Sequence, residues 1–232
     1  MYNTSILTSI TRMLHAALLI FTLLFVSLSI SAQDFKNSYY NAKRALHQSI
    51  PEVPGAIVML GNSLTERGCW SEYFPGTDIL NRGIGGDIFA GMLDRVEEIM
   101  RNRPSKVFIM AGANDILFHQ ISGQDLQANY RKLLAAIKRQ QPNCKIYMSS
   151  VLPVNETIKP ENTFLSNKNN TIVAMNKLIK GIAASSGATY IDLHPHLLKE
   201  AVLNPAFTED GVHLNEKGYL VWAAQLKTYV YE

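Results

Sequence analysis

Residues 57–68 read IVMLGNSLTERG. An apolar run, Ile57 to Leu60, stops at Gly61, and a serine follows two positions later. A short apolar run halted by glycine reads as a buried strand ending in a turn. Ser63 is then either an ordinary turn residue or a hydroxyl held at the mouth of a sheet. The rest of the chain has to supply a base, a group that orients the base, and donors for a developing negative charge.

Further apolar runs of the same kind follow at Asp78–Asn81, Val107–Ala111, Ile146–Val151 and Tyr190–Leu193. Helical patterns separate most of them. DIFAGMLDRVEEIMRN (87–102) places Ile88, Met92, Val96 and Ile99 at helical period, with Asp87 as a cap. QDLQANYRKLLAAIKRQ (124–140) puts Leu126, Tyr130, Leu133, Leu134 and Ile137 on one face, with Pro142 just beyond its end. NTIVAMNKLIKGIAASSG (170–187) ends at Gly187, a helix stop, and a last helix starts near Asn215. Strand alternating with helix predicts a parallel sheet with helices on both faces. The expected fold is therefore α/β, a three-layer flavodoxin-like sandwich of about five parallel strands.

The 232 residues are 47% hydrophobic and 18% charged, a globular composition. The N-terminus reads separately. Arg12 precedes an apolar run from Ala16 to Ile30 that ends in SISAQD. This pattern predicts a secretory signal peptide over residues 1–32, cleaved after Ala32. Residues 33–55 read as a helical lead-in, and 56–232 as the α/β domain. Export to a secreted or periplasmic location follows, with no stable membrane anchor after cleavage. Losing Arg12 lowers the net charge by one from +3. That balance, with scattered basic residues, points away from nucleic acid as a partner. Cys69 and Cys144 fall toward opposite ends of a parallel sheet, which argues against a disulfide.

The chemistry gathers beyond the strand ends. Ser63 follows the first strand, NRGIGGD (81–87) the second, AGAND (111–115) the third, and FTEDGVHLNEKGY (207–219) precedes the final helix. In an open parallel sheet these segments share one edge, where ligands bind. His213 is the candidate base for Ser63. Asp210, three residues earlier, reaches the imidazole if the loop turns like one helical turn. It would fix the tautomer and stabilise the imidazolium. The glycine-rich segment, the Asn114 amide and the Ser63 N–H are candidate donors to an oxyanion.

With GNSL, NRGIGGD, GAND and DGVH in this order, the chain resembles the SGNH hydrolases of the GDSL esterase superfamily, over about 175 residues from Ile57 onward. NRGIGGD resembles the platelet-activating-factor acetylhydrolase-like branch in particular. The resemblance implies Ser63 as nucleophile, His213 as base and Asp210 as its orienting acid. It implies an oxyanion hole of Ser63 N–H, Gly86 N–H and the Asn114 side chain, with Gly83 and Gly85 as the alternative glycines. One position departs: Asn62 stands where the family block has aspartate.

These residues predict an exported carboxylic ester hydrolase that needs no metal or organic cofactor and forms an acyl-enzyme on Ser63. By analogy with the family its substrate is a short acyl ester, acetyl above all, on a carbohydrate or another small molecule. Two other readings compete. One is a lysophospholipase or lipase with the same residues, although no lid-like apolar insertion is evident. The other is a glycan-binding module that keeps the fold without the chemistry. An α/β-hydrolase elbow is disfavoured because Thr65 stands where that motif wants glycine. No GK[ST] follows the glycines, which argues against a phosphate loop. Asp192, His194 and His196 in DLHPH lack an evident third histidine or cysteine and read as solvated loop residues rather than a metal site. Asp115 reads as a loop brace. Trp70, Tyr73 and Phe74 read as core.

Overall fold

The expected strands form. β1 (Gly55–Gly61), β2 (Ile79–Gly83), β3 (Pro104–Met110), β4 (Lys145–Ser149) and β5 (Thr189–Ile191) pair in parallel in the order β2-β1-β3-β4-β5. This is the flavodoxin-like order. The structure is a computed structural model that describes residues 35–232; the signal-peptide expectation for 1–32 lies outside the described residues.

Successive strand residues point to opposite faces, and each face has its own core. Val58, Leu60, Val107, Ile109, Ile146 and Met148 pack under helices α4 (Phe89–Asp94), α5 (Val96–Met100), α7 (Gly123–Gln140) and α8 (Lys168–Ser186). Ile57, Met59, Phe108, Met110 and Tyr147 pack on the other side, under α3 (Trp70–Tyr73) and α9 (Glu216–Tyr231). Trp70 and Phe74 are core residues there, as expected, and Tyr73 packs against them only partly buried. α1 (Ser38–Ser49) lies against α4 and α5. The Tyr40 hydroxyl donates to the Gly91 carbonyl at 2.8 Å, and Arg44 pairs with Asp94 and Glu98. Two four- and five-residue helices complete the set: α2 (Ser63–Glu66) after β1 and α6 (Ala113–Leu117) after β3. They start on either side of the point where the strand order reverses, the usual crevice of such sheets.

Three expectations need correction. The single helix over 87–102 is two, α4 and α5, broken at Arg95, whose φ of −112° leaves the helical range. The Arg95 side chain is drawn inward to Asp87. Asp87 is not the cap either: Ile88 holds that position, and Asp87 Oδ1 accepts its N–H at 2.9 Å. His194 is not solvated. It opens a 3₁₀ turn (His194–Leu197), is 8% exposed, and its N–H donates to Ser150 Oγ at 2.8 Å. His196 is exposed. Cys69 is exposed, Cys144 is buried, and both are free.

Candidate active site

Asn62 begins the site. Buried at the N-terminus of α2, it accepts the Leu64 N–H on Oδ1 at 3.0 Å. Asparagine caps as well as aspartate does, and it buries no charge. The departure from the family block therefore leaves the local geometry of Ser63 intact.

α2 is too short to be stable alone, and its neighbours hold it. The Asn81 amide donates to the carbonyls of Thr65 (3.1 Å), Glu66 (2.9 Å) and Gly68 (3.1 Å), and its Oδ1 accepts the Gly83 N–H at 2.9 Å. One side chain so closes the carbonyl end of the serine turn and ties it to β2. Gly83 is required at this contact, since a Cβ would run into the Glu66 backbone. From α9, Tyr219 donates to the Leu64 carbonyl at 2.7 Å.

The structure brings the first-strand serine and the late-chain histidine together. Ser63 Oγ lies 3.0 Å from His213 Nε2, and His213 Nδ1 lies 2.6 Å from Asp210 Oδ2. The Asp210–His213 loop is not a helical turn. Asp210 Oδ1 instead accepts the backbone N–H groups of Val212 (2.9 Å) and His213 (2.7 Å). One carboxylate thus shapes the loop with one oxygen and holds the ring with the other. Burial alone would raise the Asp210 carboxyl, but the hydrogen bonds from the His213 ring and from these two amides outweigh it and bring it to about 2. An ionised Asp210 accepts from Nδ1–H, so Nε2 is the acceptor that faces the Ser63 hydroxyl.

Ser63, Gly86, Asn114 and His213 line one open cleft of about 530 Å³. Of the three glycines in the loop, the Gly83 amide is taken by Asn81 and the Gly85 amide by Glu66 Oε2 at 2.6 Å. Among the described residues the amides of Gly86 and Ser63 have no acceptor. Gly86 has φ +77°, a conformation that favours glycine. Asn114 spends one amide proton on the Asp87 carbonyl at 2.9 Å, which leaves the second for the cleft. The residues that carry the three donors named from the sequence thus line the same cleft.

Sequence reasoning missed Glu66 and Arg95. Glu66 binds the Gly85 amide, the Tyr39 hydroxyl (2.6 Å) and Lys43, joining α1 and the glycine loop to the serine turn. Arg95 joins Asp87 to β1. No local pattern marks either, because Glu66 meets Tyr39, Lys43 and Gly85, and Arg95 meets Asp87 and Gly61, outside helical or strand spacing.

Asp115 is a brace, as expected. It is 5% exposed; Oδ1 accepts the Phe89 N–H at 3.3 Å, while Oδ2 is buried without a partner among the described residues. Burial pushes its carboxyl up to about 6, against the pull of the Phe89 amide. In the unfolded chain it titrates nearer 3.9. Between those values the unfolded state binds fewer protons than the folded one, so Asp115 lowers stability as pH rises from about 4 to about 6. Asp115→Asn keeps an acceptor for Phe89 and removes the charge. The variant is expected to be more stable than wild type at pH 7 by ~1–3 kcal/mol, an advantage lost at pH 4. Thermal midpoints at both pH values check this.

The fold and this set of residues define a class: flavodoxin-like α/β proteins with a hydrogen-bonded serine, histidine and aspartate at one edge of the sheet. Residues 59–221 match the GDSL-like Lipase/Acylhydrolase family, and the chain belongs to that family. It is an esterase-type acylhydrolase. It is 26% identical over 171 residues to the platelet-activating factor acetylhydrolase IB subunit alpha1 of Rattus norvegicus, covering 70% of this chain and 69% of that one. It is also 26% identical over 208 residues, 84% of this chain, to the N-acylneuraminate cytidylyltransferase of Escherichia coli, but spans only 46% of that protein. A solved structure from Streptococcus pneumonia, described as a platelet activating factor protein, superposes with a TM-score of 0.75 at 22% identity, covering 90% of this chain and 99% of that one.

Proposed function

We propose that this protein is a serine esterase that removes a short acyl group, acetyl above all, from a polar alcohol such as a carbohydrate. The observation that carries the reading is the hydrogen-bonded line Ser63–His213–Asp210 with the Gly86 and Asn114 donors in the same cleft. Ser63 Oγ attacks the ester carbonyl and its proton passes to His213 Nε2. Asp210 stabilises the imidazolium. The carbonyl oxygen becomes an oxyanion held by the Ser63 and Gly86 amides and Asn114 Nδ2. His213 then protonates the departing alkoxide, leaving an acyl-enzyme on Ser63. Water, deprotonated by His213, attacks that ester, and the carboxylic acid leaves as Ser63 regains its proton. We place the activity outside the cytoplasm, on the strength of the leader-like residues 1–32.

The short-acyl reading is supported by a second cavity, of about 110 Å³, that meets the open cleft at Ser63, Asn114, Phe118 and His213. Its walls include Leu64, Ala113, Leu117, Phe164 and Val212. The Phe118 and Phe164 rings, 4.8 Å apart, lie at this wall. It is the smaller of the two cavities, and its largely apolar walls suit a short acyl chain. The similarity to an acetylhydrolase subunit agrees with that size. With p-nitrophenyl esters of rising acyl length, kcat/KM is expected to hold from acetate to butyrate and to fall about a hundredfold by octanoate. Phe164→Ala is expected to recover much of the octanoate activity. A flat profile would favour the lipase reading, and no hydrolysis together with unaltered sugar binding in a Ser63→Ala variant would favour the glycan-binding module.

A further inference from the structure

The short-acyl assignment of the smaller cavity leaves the open cleft to the alcohol, and this cleft is walled by an arginine that forms no ion pair among the described residues. Its walls include Tyr39, Glu66, Arg67, Gly85 and Gly86. Glu66 is fully engaged by Lys43, the Tyr39 hydroxyl and the Gly85 amide. Arg67, the next residue, is exposed. Among the described residues its guanidinium has neither a carboxylate partner nor a carbonyl acceptor. Tyr39 is 49% exposed, its hydroxyl is fixed by Glu66, and its ring lies against Gly85.

A fixed aromatic ring and an unpaired guanidinium line the same cleft. Lys43 Nζ lies 5.9 Å from the centroid of the half-exposed Tyr39 ring, and the ring's other face suits the C–H side of a sugar. The guanidinium offers a planar fork that matches a carboxylate. One uncompensated positive charge suits a monoanion better than a doubly charged phosphate ester.

We infer that the alcohol half of the substrate is a carboxylate-bearing sugar, its acid group paired with Arg67 and its ring set against Tyr39. This rests on the serine-esterase reading and narrows it. Arg67 is then a specificity-determining residue that acts on the leaving group and leaves acyl choice to the other cavity.

The test compares two acetylated sugars, a methyl glucuronoside and the corresponding neutral methyl glucoside, alongside p-nitrophenyl acetate. Wild type is expected to favour the acid over the neutral sugar by about tenfold in kcat/KM, mainly through KM, a charge-assisted contact being worth about that much. Raising salt should shrink the preference. Arg67→Gln should cut kcat/KM on the acid about tenfold more than on the neutral sugar, and Arg67→Glu should reverse the order. Equal use of both sugars by wild type would overturn the inference. So would a preference that survives Arg67→Gln, or a loss of the same size on all three substrates. If p-nitrophenyl acetate is turned over while the acid preference is missing, only this inference falls. If no ester is turned over, the esterase reading fails and takes this inference with it.

Discussion

Ser63→Ala is expected to abolish turnover of p-nitrophenyl acetate by about four to six orders of magnitude while leaving the thermal midpoint within about 2 °C of wild type. Among the described residues the hydroxyl's one partner is His213 Nε2, and α2 is held by Asn62, Asn81 and Tyr219 rather than by Ser63. Folding therefore does not depend on the oxygen to which the proposed chemistry is assigned. His213→Ala should cost about as much, and the double variant hardly more, because the two groups act as a unit. Asp210→Asn tests the orienting role separately. An amide can still accept the Val212 and His213 N–H groups on its oxygen, so the loop is expected to persist. The ring then loses the carboxylate that fixes its tautomer, and a loss of about 10⁴ in kcat follows. Asp210 titrates at about 2. Its ionisation thus supplies no activity change between pH 4 and 8, and any limb of the profile in that range belongs to another group. A Ser63→Ala variant that keeps more than about a tenth of wild-type turnover would end the serine mechanism, since no triad member tolerates removal so well.

Much of this site could be read before any coordinates because it lies where the chain changes period. Each strand is a short apolar run, and each polar or glycine-rich block follows one. Order and parallel pairing then place Ser63, Gly86 and Asn114 at one edge by topology alone. Asp210 and His213 were legible because they are three residues apart. The details of their contact were not: one carboxylate oxygen shapes the turn through backbone amides, which residue spacing does not reveal. Helix 87–102 failed for a related reason. Its apolar period runs unbroken through Arg95 on paper, whereas the fold interrupts it where a guanidinium is drawn toward a buried carboxylate. His194 failed likewise, because a polar residue beside a proline in a short turn reads as solvated until Ser150 is seen to meet its amide. Local pattern fixes where elements begin and end. Pairings between residues distant in the chain emerge only once the sheet has formed.

Arg95→Ala is expected to destabilise the protein by ~3–5 kcal/mol, the usual penalty for breaking a buried ion pair from one side. Arg95 is 1% exposed. Its Nε and Nη2 donate to Asp87 Oδ2 at 3.0 and 2.8 Å, and Nη2 also donates to the Gly61 carbonyl at 3.2 Å. Gly61 stands two residues before Ser63, Asp87 follows Gly86, and the Asp87 carbonyl accepts from Asn114. A single side chain therefore sets the relative positions of all three loops that carry the proposed oxyanion donors. Burial pushes the Asp87 carboxyl up, and the Arg95 guanidinium opposes that shift. Without Arg95 the opposition vanishes, and Asp87 must bury an unpaired charge or take up a proton. A folded-state pKa raised in this way gives stability at low pH that is lost as pH rises. The deficit of Arg95→Ala is accordingly expected to shrink between pH 7 and pH 5, as urea midpoints at each pH would report. The pair also separates stability from positioning. Asp87→Asn combined with Arg95→Met replaces the ions with neutral groups and should regain most of the lost stability, as neutral replacement of buried pairs often does. It does not restore the clamp on Gly61. In that double variant kcat is expected to stay about ten- to a hundredfold below wild type with KM little changed, because a donor displaced by even 1 Å loses its grip on the transition state more than on the substrate. Full recovery of kcat along with stability would mean that Arg95 only fills the core, and that the donors hold their places without it.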